Sequence, residues 1–102
     1  MSKAMVEILT PALNDIDKIA DYHLLAVGPI SAEKITDKLL NSIEKLGEYP
    51  LLGTEHSDPV LQKRGYRKLV CGEYICVYRL IDDAIYVYRV VHSATDYPKF
   101  FR

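Results

Sequence analysis

Two ionisable side chains, Arg89 and His92, lie in a stretch that is otherwise apolar and aromatic, YVYRVVH at residues 86–92. Such a stretch is typical of a buried strand, so the two are either paired structural groups or part of a working site. His92 ends the predicted strand and precedes the polar segment 93–96. Because functional groups are often placed on loops beside strand ends, His92 is a candidate site residue.

A basic set in the C-terminal part of the chain could bind phosphate groups. Its members are Lys63, Arg64, Arg67, Lys68, Arg79 and Arg89. Arginine presents a fixed fork of donors that matches a phosphate in a two-point contact. Arg67 in GYRKLV and Arg79 in VYRL are the best placed of the set. The alternative interpretation is that these residues form salt bridges with acidic residues of the helices.

Other chemistry finds little support in the residue pattern. No nucleophile motif and no glycine-rich phosphate loop is present. His23, His56 and His92 lie far apart in the sequence, and the spacing of Cys71 and Cys76 fits no common zinc pattern. We therefore expect no metal, no cofactor and two reduced, partly buried thiols. His23 is expected at a core or interface position, and His56 in solvent.

Length and composition indicate a single domain over residues 1–102, with 49% hydrophobic and 26% charged residues, as in ordinary soluble proteins. No apolar run is long enough to cross a bilayer, and the N-terminus does not resemble a signal peptide, so we expect a cytoplasmic protein with no membrane contact. The net charge of residues 1–61 is −5 and that of residues 62–102 is +4. The C-terminal part could therefore meet an anionic partner.

A short strand over residues 6–9 precedes two predicted helices. Thr10 suits the N-cap position of the first helix, which ends at residues 28–29. Ser31 suits the N-cap of the second helix, which Gly47 would end. The short connection between them predicts an antiparallel helical hairpin.

The second half of the chain is predicted to be a β-meander. Residues 48–65 form a long loop with room for one short strand or turn, and strands follow at 66–70, 73–80 and 85–92. The order β-α-α-β-β-β predicts an α+β domain with the helices packed on one face of the sheet. The other face is then bare or nearly so.

Strict alternation along the last strand would place Tyr86, Tyr88, Val90 and His92 on one face of the sheet. Which face meets the helices depends on the register of the turn at residues 81–84. A sheet with tyrosines and arginines on its open face would suit an extended or anionic ligand.

Several short motifs together resemble the RelE/ParE superfamily, the toxin subunits of bacterial and archaeal type II toxin–antitoxin systems. They are TPAL, LGEYPLLG, YRKL, YICVYRL and YRVVH, in that order, and they extend over nearly the whole chain. The resemblance implies a toxin that inhibits growth, stabilises plasmids and is neutralised by a cognate antitoxin. It also implies that the complex contacts operator DNA only through the antitoxin.

The superfamily has two activities, and they imply different roles for these residues. RelE-like members cleave mRNA on the ribosome without a metal, using basic residues for phosphate and a tyrosine, histidine or glutamate for proton transfer. ParE-like members inhibit DNA gyrase. RelE-like nucleases tend to carry an arginine where Ile75 stands here, and basic residues where residues 93–95 stand. The chain therefore resembles the ParE-like branch more closely.

Three hypotheses follow from the resemblance. The first is a ParE-like toxin that acts by binding. The second is a ribosome-dependent endoribonuclease, with His92 or Tyr97 as general acid or base and with Arg67 and Arg89 on phosphate. The third is a homologue that binds an antitoxin but has lost its toxicity, which the segment Ser93-Ala94-Thr95 motivates.

Overall fold

The computed structural model describes residues 3–101 of the chain. Its elements are strand β1 (Met5–Ile8), helices α1 (Thr10–Ala26) and α2 (Pro29–Glu48), strand β2 (Thr54–Glu55), helix α3 (Pro59–Lys63), strands β3 (Tyr66–Cys71), β4 (Tyr74–Ile81) and β5 (Ala84–His92), and a C-terminal 3-10 helix (Tyr97–Phe101). The four strands that the sequence predicts are present, each within one residue of its expected ends. The predicted long loop contains β2 and α3.

The strands form one sheet in the order β1-β5-β4-β3-β2. Strand β1 pairs with β5 in parallel, and the other neighbours are antiparallel. The α1–α2 hairpin lies on one face, which confirms the α+β class. The sheet is larger than the expected meander because β1 joins one edge and β2 the other.

Both long helices begin earlier than predicted. The N-cap of α1 is Leu9 and that of α2 is Gly28, and neither side chain caps its helix. The predicted caps Thr10 and Ser31 are wrong, because Thr10 is already the first residue of α1 and Ser31 is the third residue of α2, which begins at Pro29. Proline suits the first turn of a helix, where its missing N–H leaves no bond unmade.

Gly47 lies inside α2 rather than ending it. A side chain on Gly47 would approach the carbonyl oxygen of Ala4 to 3.1 Å and Val6 to 3.2 Å. The Gly47 carbonyl accepts a hydrogen bond from the Ala4 N–H at 2.8 Å. The glycine therefore lets the chain just before β1 lie directly against the end of α2.

A register shift divides β5 into two halves. Val77 pairs with Arg89 while Tyr78 pairs with Val87, so Tyr88 is an extra residue on the β5 side. A bulge of this kind interrupts the alternation of side chains. The expectation that Tyr86 to His92 alternate without interruption is therefore wrong.

The bulge places Ile85 and Val87 of the first half of β5, and Val90 of the second half, toward the helices. The core between sheet and helices consists of Ala12, Ile16, Leu39, Ile43, Leu46, Leu69, Cys71, Tyr74, Cys76, Tyr78, Ile85, Val87 and Val90. Both thiols in it are free and buried. Burial raises the pKa of the Cys76 thiol far above its usual value, so this thiol stays protonated and unreactive.

The opposite face of the sheet has a smaller core of its own. Buried Ile75, Val77 and Val91 pack with Tyr97 of the 3-10 helix, and Tyr66 and Phe101 are half-buried against them. The chain after β5 thus folds back to cover part of the face that was expected to be bare. No helix within residues 3–101 combines the length and apolarity needed to span a membrane.

Candidate functional site

Arg89 is held by Asp15 of α1 in a two-point contact. Its Nε donates to Asp15 Oδ2 at 2.7 Å and its Nη2 donates to Oδ1 at 3.0 Å. The same Oδ2 accepts from the Val90 N–H at 2.9 Å. Strand β1 ends at Ile8, opposite Val87, so the second half of β5 has no strand on that side. Asp15 supplies the acceptor that a neighbouring strand would otherwise provide.

The Arg89 guanidinium is also occupied on its flat face. Its central carbon lies 5.5 Å from the centre of the Phe100 ring, a cation–π distance. The hydrogen bonds to Asp15 raise the pKa of Arg89, burial opposes that rise, and the Asp15 charge adds to it. Arg89 is therefore a paired structural group, and a phosphate could bind its guanidinium only by displacing the Asp15 carboxylate.

Tyr97 is buried against His56, a residue expected in solvent. Tyr97 is 5% exposed and His56 is 3% exposed, so the expectation for His56 is wrong. The Tyr97 oxygen lies 2.7 Å from His56 Nε2, and the Asp58 N–H donates to His56 Nδ1 at 3.0 Å. Because Nδ1 is an acceptor here, we assign the proton of neutral His56 to Nε2, which donates to Tyr97.

The pKa values of this pair shift in the directions expected for buried neutral groups. Burial and the charge of Lys68 lower the pKa of His56, against a smaller opposite effect of Asp58. Burial, and then the charge of Asp58, raise the pKa of Tyr97. The raised pKa leaves a smaller fraction of Tyr97 ionised at neutral pH, so less of it is available to accept a proton as a phenolate.

His92 is exposed at the far end of β5. Its Nδ1 accepts from the Ala94 N–H at 3.1 Å, and its Nε2 lies 3.9 Å from a carboxylate oxygen of Glu73. The ring makes an edge contact with Tyr74 at 5.6 Å between centroids. Within residues 3–101, no hydrogen bond or ring contact joins His92 to Tyr97 or Arg89.

Arg67 lies on the helix side of the sheet, opposite Tyr78. Its Nη2 donates to the Gly53 carbonyl at 2.7 Å and its Nε to the Tyr78 hydroxyl at 3.4 Å. That hydroxyl accepts from the Gly53 N–H at 3.1 Å and donates to the Pro50 carbonyl at 2.9 Å. Arg67 therefore fastens the loop before β2 to the sheet.

Arg79 lies on the opposite face among aromatic rings. Its guanidinium carbon is 5.3 Å from the centre of the Tyr66 ring, and its Nη1 is 3.5 Å from the Tyr88 hydroxyl. Tyr66 also makes edge contacts with Tyr88 and Phe101. Nucleic-acid bases can stack on exposed tyrosine rings, but these rings contact one another edge to face and hold the Arg79 guanidinium among them.

The other three basic residues lie around α3. Arg64 donates to the Phe101 carbonyl, and Lys68 Nζ lies 3.4 Å from the Ser57 hydroxyl. Lys63 is exposed at the end of α3. The basic set is thus divided between the two faces of the sheet, and the structure does not gather it into one pocket.

A different surface, at the tip of the helical hairpin, was not anticipated from the sequence. It is apolar and exposed, and its members are Tyr22, Leu24, Leu25, Val27 and Ile30. Beside it, His23 joins three elements, with Nδ1 3.1 Å from the Ser31 hydroxyl and Nε2 3.0 Å from the Tyr74 hydroxyl. This confirms His23 as an interface residue. The sequence does indicate this exposed apolar surface through the run LLAV at residues 24–27, which continues past the buried residues Ala12 and Ile16 of α1.

Within residues 3–101, no three His, Cys, Asp or Glu residues lie close enough together to hold a metal ion. The acid–base candidates do not converge either.

Comparison with known proteins extends over most of the chain. A family model described as "ParE toxin of type II toxin-antitoxin system, parDE" matches residues 6–97. No curated protein matches the chain. A solved chain from "Chromosomal ParDE TA system from P. aeruginosa" superposes with a TM-score of 0.75 at 19% identity, covering 88% of this chain and 96% of that one.

A second solved relative comes from the toxin–antitoxin complex RelBE2 of Mycobacterium tuberculosis. Its TM-score is 0.58 at 24% identity, and the match covers 88% of this chain and 98% of the other. At these identities the two structures establish a shared fold and nothing further.

Proposed function

Since this chain belongs to the ParE toxin family of type II toxin–antitoxin systems, we propose that it inhibits DNA gyrase by binding and that it cleaves no RNA. The chain is a toxin of such a system, and its partner is an antitoxin. The proposal adds the identity of the toxin's target. Gyrase is the target that the resemblance to the ParE-like branch implies.

The observation that carries the proposal is the separation of the three catalytic candidates. Tyr97 is buried and bonded to His56, Arg89 is bonded to Asp15, and His92 is exposed at another place on the sheet. Metal-free cleavage of RNA requires an acid and a base within hydrogen-bond reach of one scissile phosphate. A cleavage site would therefore require both buried pairs to be rearranged.

Two further features support binding without catalysis. Ile75, which stands where nucleases tend to carry arginine, is buried in the smaller core. Residues 93–95, where basic residues would be expected, are exposed and carry no charge. In this proposal the residues predicted to bind phosphate contact the toxin's partners instead, through the exposed parts of Arg67, Lys68, Arg79, Lys63 and Arg64.

The cellular setting follows from the target. A gyrase inhibitor acts where the chromosome lies, in the cytoplasm. The net charge of −1 gives the chain little general attraction for DNA. Contact with operator DNA is therefore assigned to the antitoxin and not to this chain.

The test is a supercoiling assay with purified gyrase, ATP and relaxed plasmid, titrated with the chain. We expect supercoiling to stop as the chain approaches and passes the concentration of gyrase. His92→Ala should inhibit equally well, because no catalytic step depends on it. Full supercoiling at a large excess of folded chain would exclude gyrase as the target.

A further inference from the structure

The turn that follows α2 presents two adjacent leucines to solvent. Leu51 is 65% exposed and Leu52 is 48% exposed. The Leu52 N–H donates to the Tyr49 carbonyl at 3.0 Å, which closes a β-turn with Pro50 in its second position. The residues that favour turns are Gly, Asn, Asp, Ser and Pro. The requirements of the turn therefore do not explain the two leucines, and contact with another molecule would.

The backbone of this turn is held in place by the sheet. The hydroxyl of Tyr78, a fully buried side chain, donates to the Pro50 carbonyl at 2.9 Å and accepts from the Gly53 N–H at 3.1 Å. Arg67 Nη2 donates to the Gly53 carbonyl at 2.7 Å. Because the chain on both sides of the leucines is already fixed, burying them against a partner would require little ordering of this chain.

Two small cavities flank the turn and share Leu80 as a wall. One, of about 230 Å³, is lined by Leu51 and Tyr66 among others, and the other, of about 200 Å³, is lined by Pro50. Each offers a place for an anchoring side chain of a partner. We call the exposed leucines and these two cavities the turn surface.

The turn surface carries an excess of negative charge. The carboxylates that line its cavities are those of Glu48, Glu55, Asp82 and Asp83, and the cations are Lys3 and Arg67. Lys3 already lies 3.2 Å from the Glu48 carboxylate, and Arg67 is bonded to a carbonyl. Within residues 3–101, neither Asp82 nor Asp83 forms an ion pair. Their charge is therefore available to a cationic partner.

The turn surface and the hairpin tip lie at opposite ends of the molecule. Helix α2 has 20 residues and runs from the tip to the turn. At 1.5 Å per residue its ends are about 30 Å apart. A partner at the tip would therefore leave the turn surface free for a second one.

We propose, on the basis of the proposed function, that the turn surface contacts gyrase and receives a segment with apolar anchor residues flanked by Lys or Arg. A protein that handles DNA presents lysines and arginines to the phosphates. An acidic surface with apolar anchors is complementary to such a region. A second copy of this chain would bring carboxylates against carboxylates, which disfavours a symmetric dimer at this surface.

The test measures inhibition of supercoiling and direct binding to immobilised gyrase, for the unaltered chain and for variants. Leu51→Ser should raise the half-inhibitory concentration and the Kd about tenfold, because an apolar anchor is lost. Asp83→Lys should raise both about fivefold at low salt, and by less at high salt, because the charge is exposed to screening.

Matched control variants lie at the other end of the molecule. Leu25→Ser changes a leucine that is 87% exposed at the hairpin tip. Glu73→Lys reverses a charge in the two-residue turn between β3 and β4, at the place that Asp83 holds in the turn between β4 and β5. Both controls should stay within about twofold of the unaltered chain. Far-ultraviolet circular dichroism verifies that all four variants are folded.

The outcomes separate this inference from the proposed function. If the unaltered chain inhibits gyrase and Leu51→Ser and Asp83→Lys inhibit equally well, gyrase remains the target but the turn surface is not its contact. Weaker inhibition by Leu25→Ser and Glu73→Lys instead would assign the contact to the hairpin tip. If the unaltered chain neither binds nor inhibits gyrase, the proposed function fails and this inference fails with it.

Discussion

Asp15 and Arg89, which are 74 positions apart in the chain, form a two-point ion pair with contacts of 2.7 Å and 3.0 Å. The Asp15 side chain is 12% exposed and that of Arg89 is 32% exposed. Together with the Val90 N–H bond at 2.9 Å, the pair attaches α1 to the half of β5 that β1 leaves open. The arginine in the YVYRVVH stretch is thus explained by its structural partner.

Removing Asp15 should destabilise the fold. Asp15→Ala leaves the Arg89 guanidinium and the Val90 N–H without their acceptor, and we expect the free energy of unfolding to fall by about 2–4 kcal/mol. Asp15→Asn should cost less, because the amide oxygen can still accept one bond. Urea unfolding followed by circular dichroism measures both. A loss below about 1 kcal/mol for Asp15→Ala would contradict the account.

Tyr97→Phe removes the acceptor of the buried His56 Nε2–H. We expect the free energy of unfolding to fall by about 1–3 kcal/mol, the cost of leaving a buried donor unpaired. Tyr22→Phe is the matched control, because Tyr22 is 66% exposed and its hydroxyl can bond to water. Equal stability of the Tyr97→Phe variant and the unaltered chain would show that the bond contributes nothing.

The lowered pKa of His56 predicts a pH dependence of stability. The unfolded chain binds a proton on this side chain near the ordinary pKa of 6.5, whereas the folded chain does not until the pH is lower. The contribution of His56 is therefore fully present above that value and is lost as the pH falls toward its folded pKa. Unfolding free energies at neutral and mildly acidic pH should differ less in His56→Gln than in the unaltered chain. An identical slope in both would refute this assignment.

Gly53→Ala should disturb the loop before β2. An added Cβ would lie 2.5 Å from the Lys68 carbonyl oxygen and 2.8 Å from the Tyr78 ring, both of which are held in the sheet. We expect a loss of about 1–3 kcal/mol in unfolding free energy, as for other overpacked sites. Hydrogen exchange should also show faster exchange at Thr54 and Glu55. A variant as stable as the unaltered chain, with unchanged exchange, would mean that the loop is not fixed by this contact.

Local patterns in the sequence predicted most of the fold. The 3.6-residue spacing of apolar residues indicated both helices, and aromatic and β-branched runs indicated the strands. The faces of β5 could not be predicted, because the bulge at Tyr88 depends on pairing with Val77 and Tyr78 of another strand. The parallel β1–β5 pair likewise joins opposite ends of the chain.

The candidate site was harder to predict for the same reason. His56 lies in the polar stretch TEHSDP, which is typical of an exposed loop, and only its contact with the distant Tyr97 explains its burial. Asp15 lies in the polar run NDIDK of α1, which does not distinguish it from exposed residues, and its partner Arg89 is far along the chain. Long-range pairs of this kind leave no periodic signal in a single sequence.

The most direct test of the central claim, action by binding without catalysis, is primer extension on mRNA from a purified bacterial translation system with and without the folded chain. The account predicts full-length products in both, at amounts of chain that inhibit gyrase. Discrete cuts that require the ribosome and disappear in His92→Ala would contradict it and would establish an endoribonuclease.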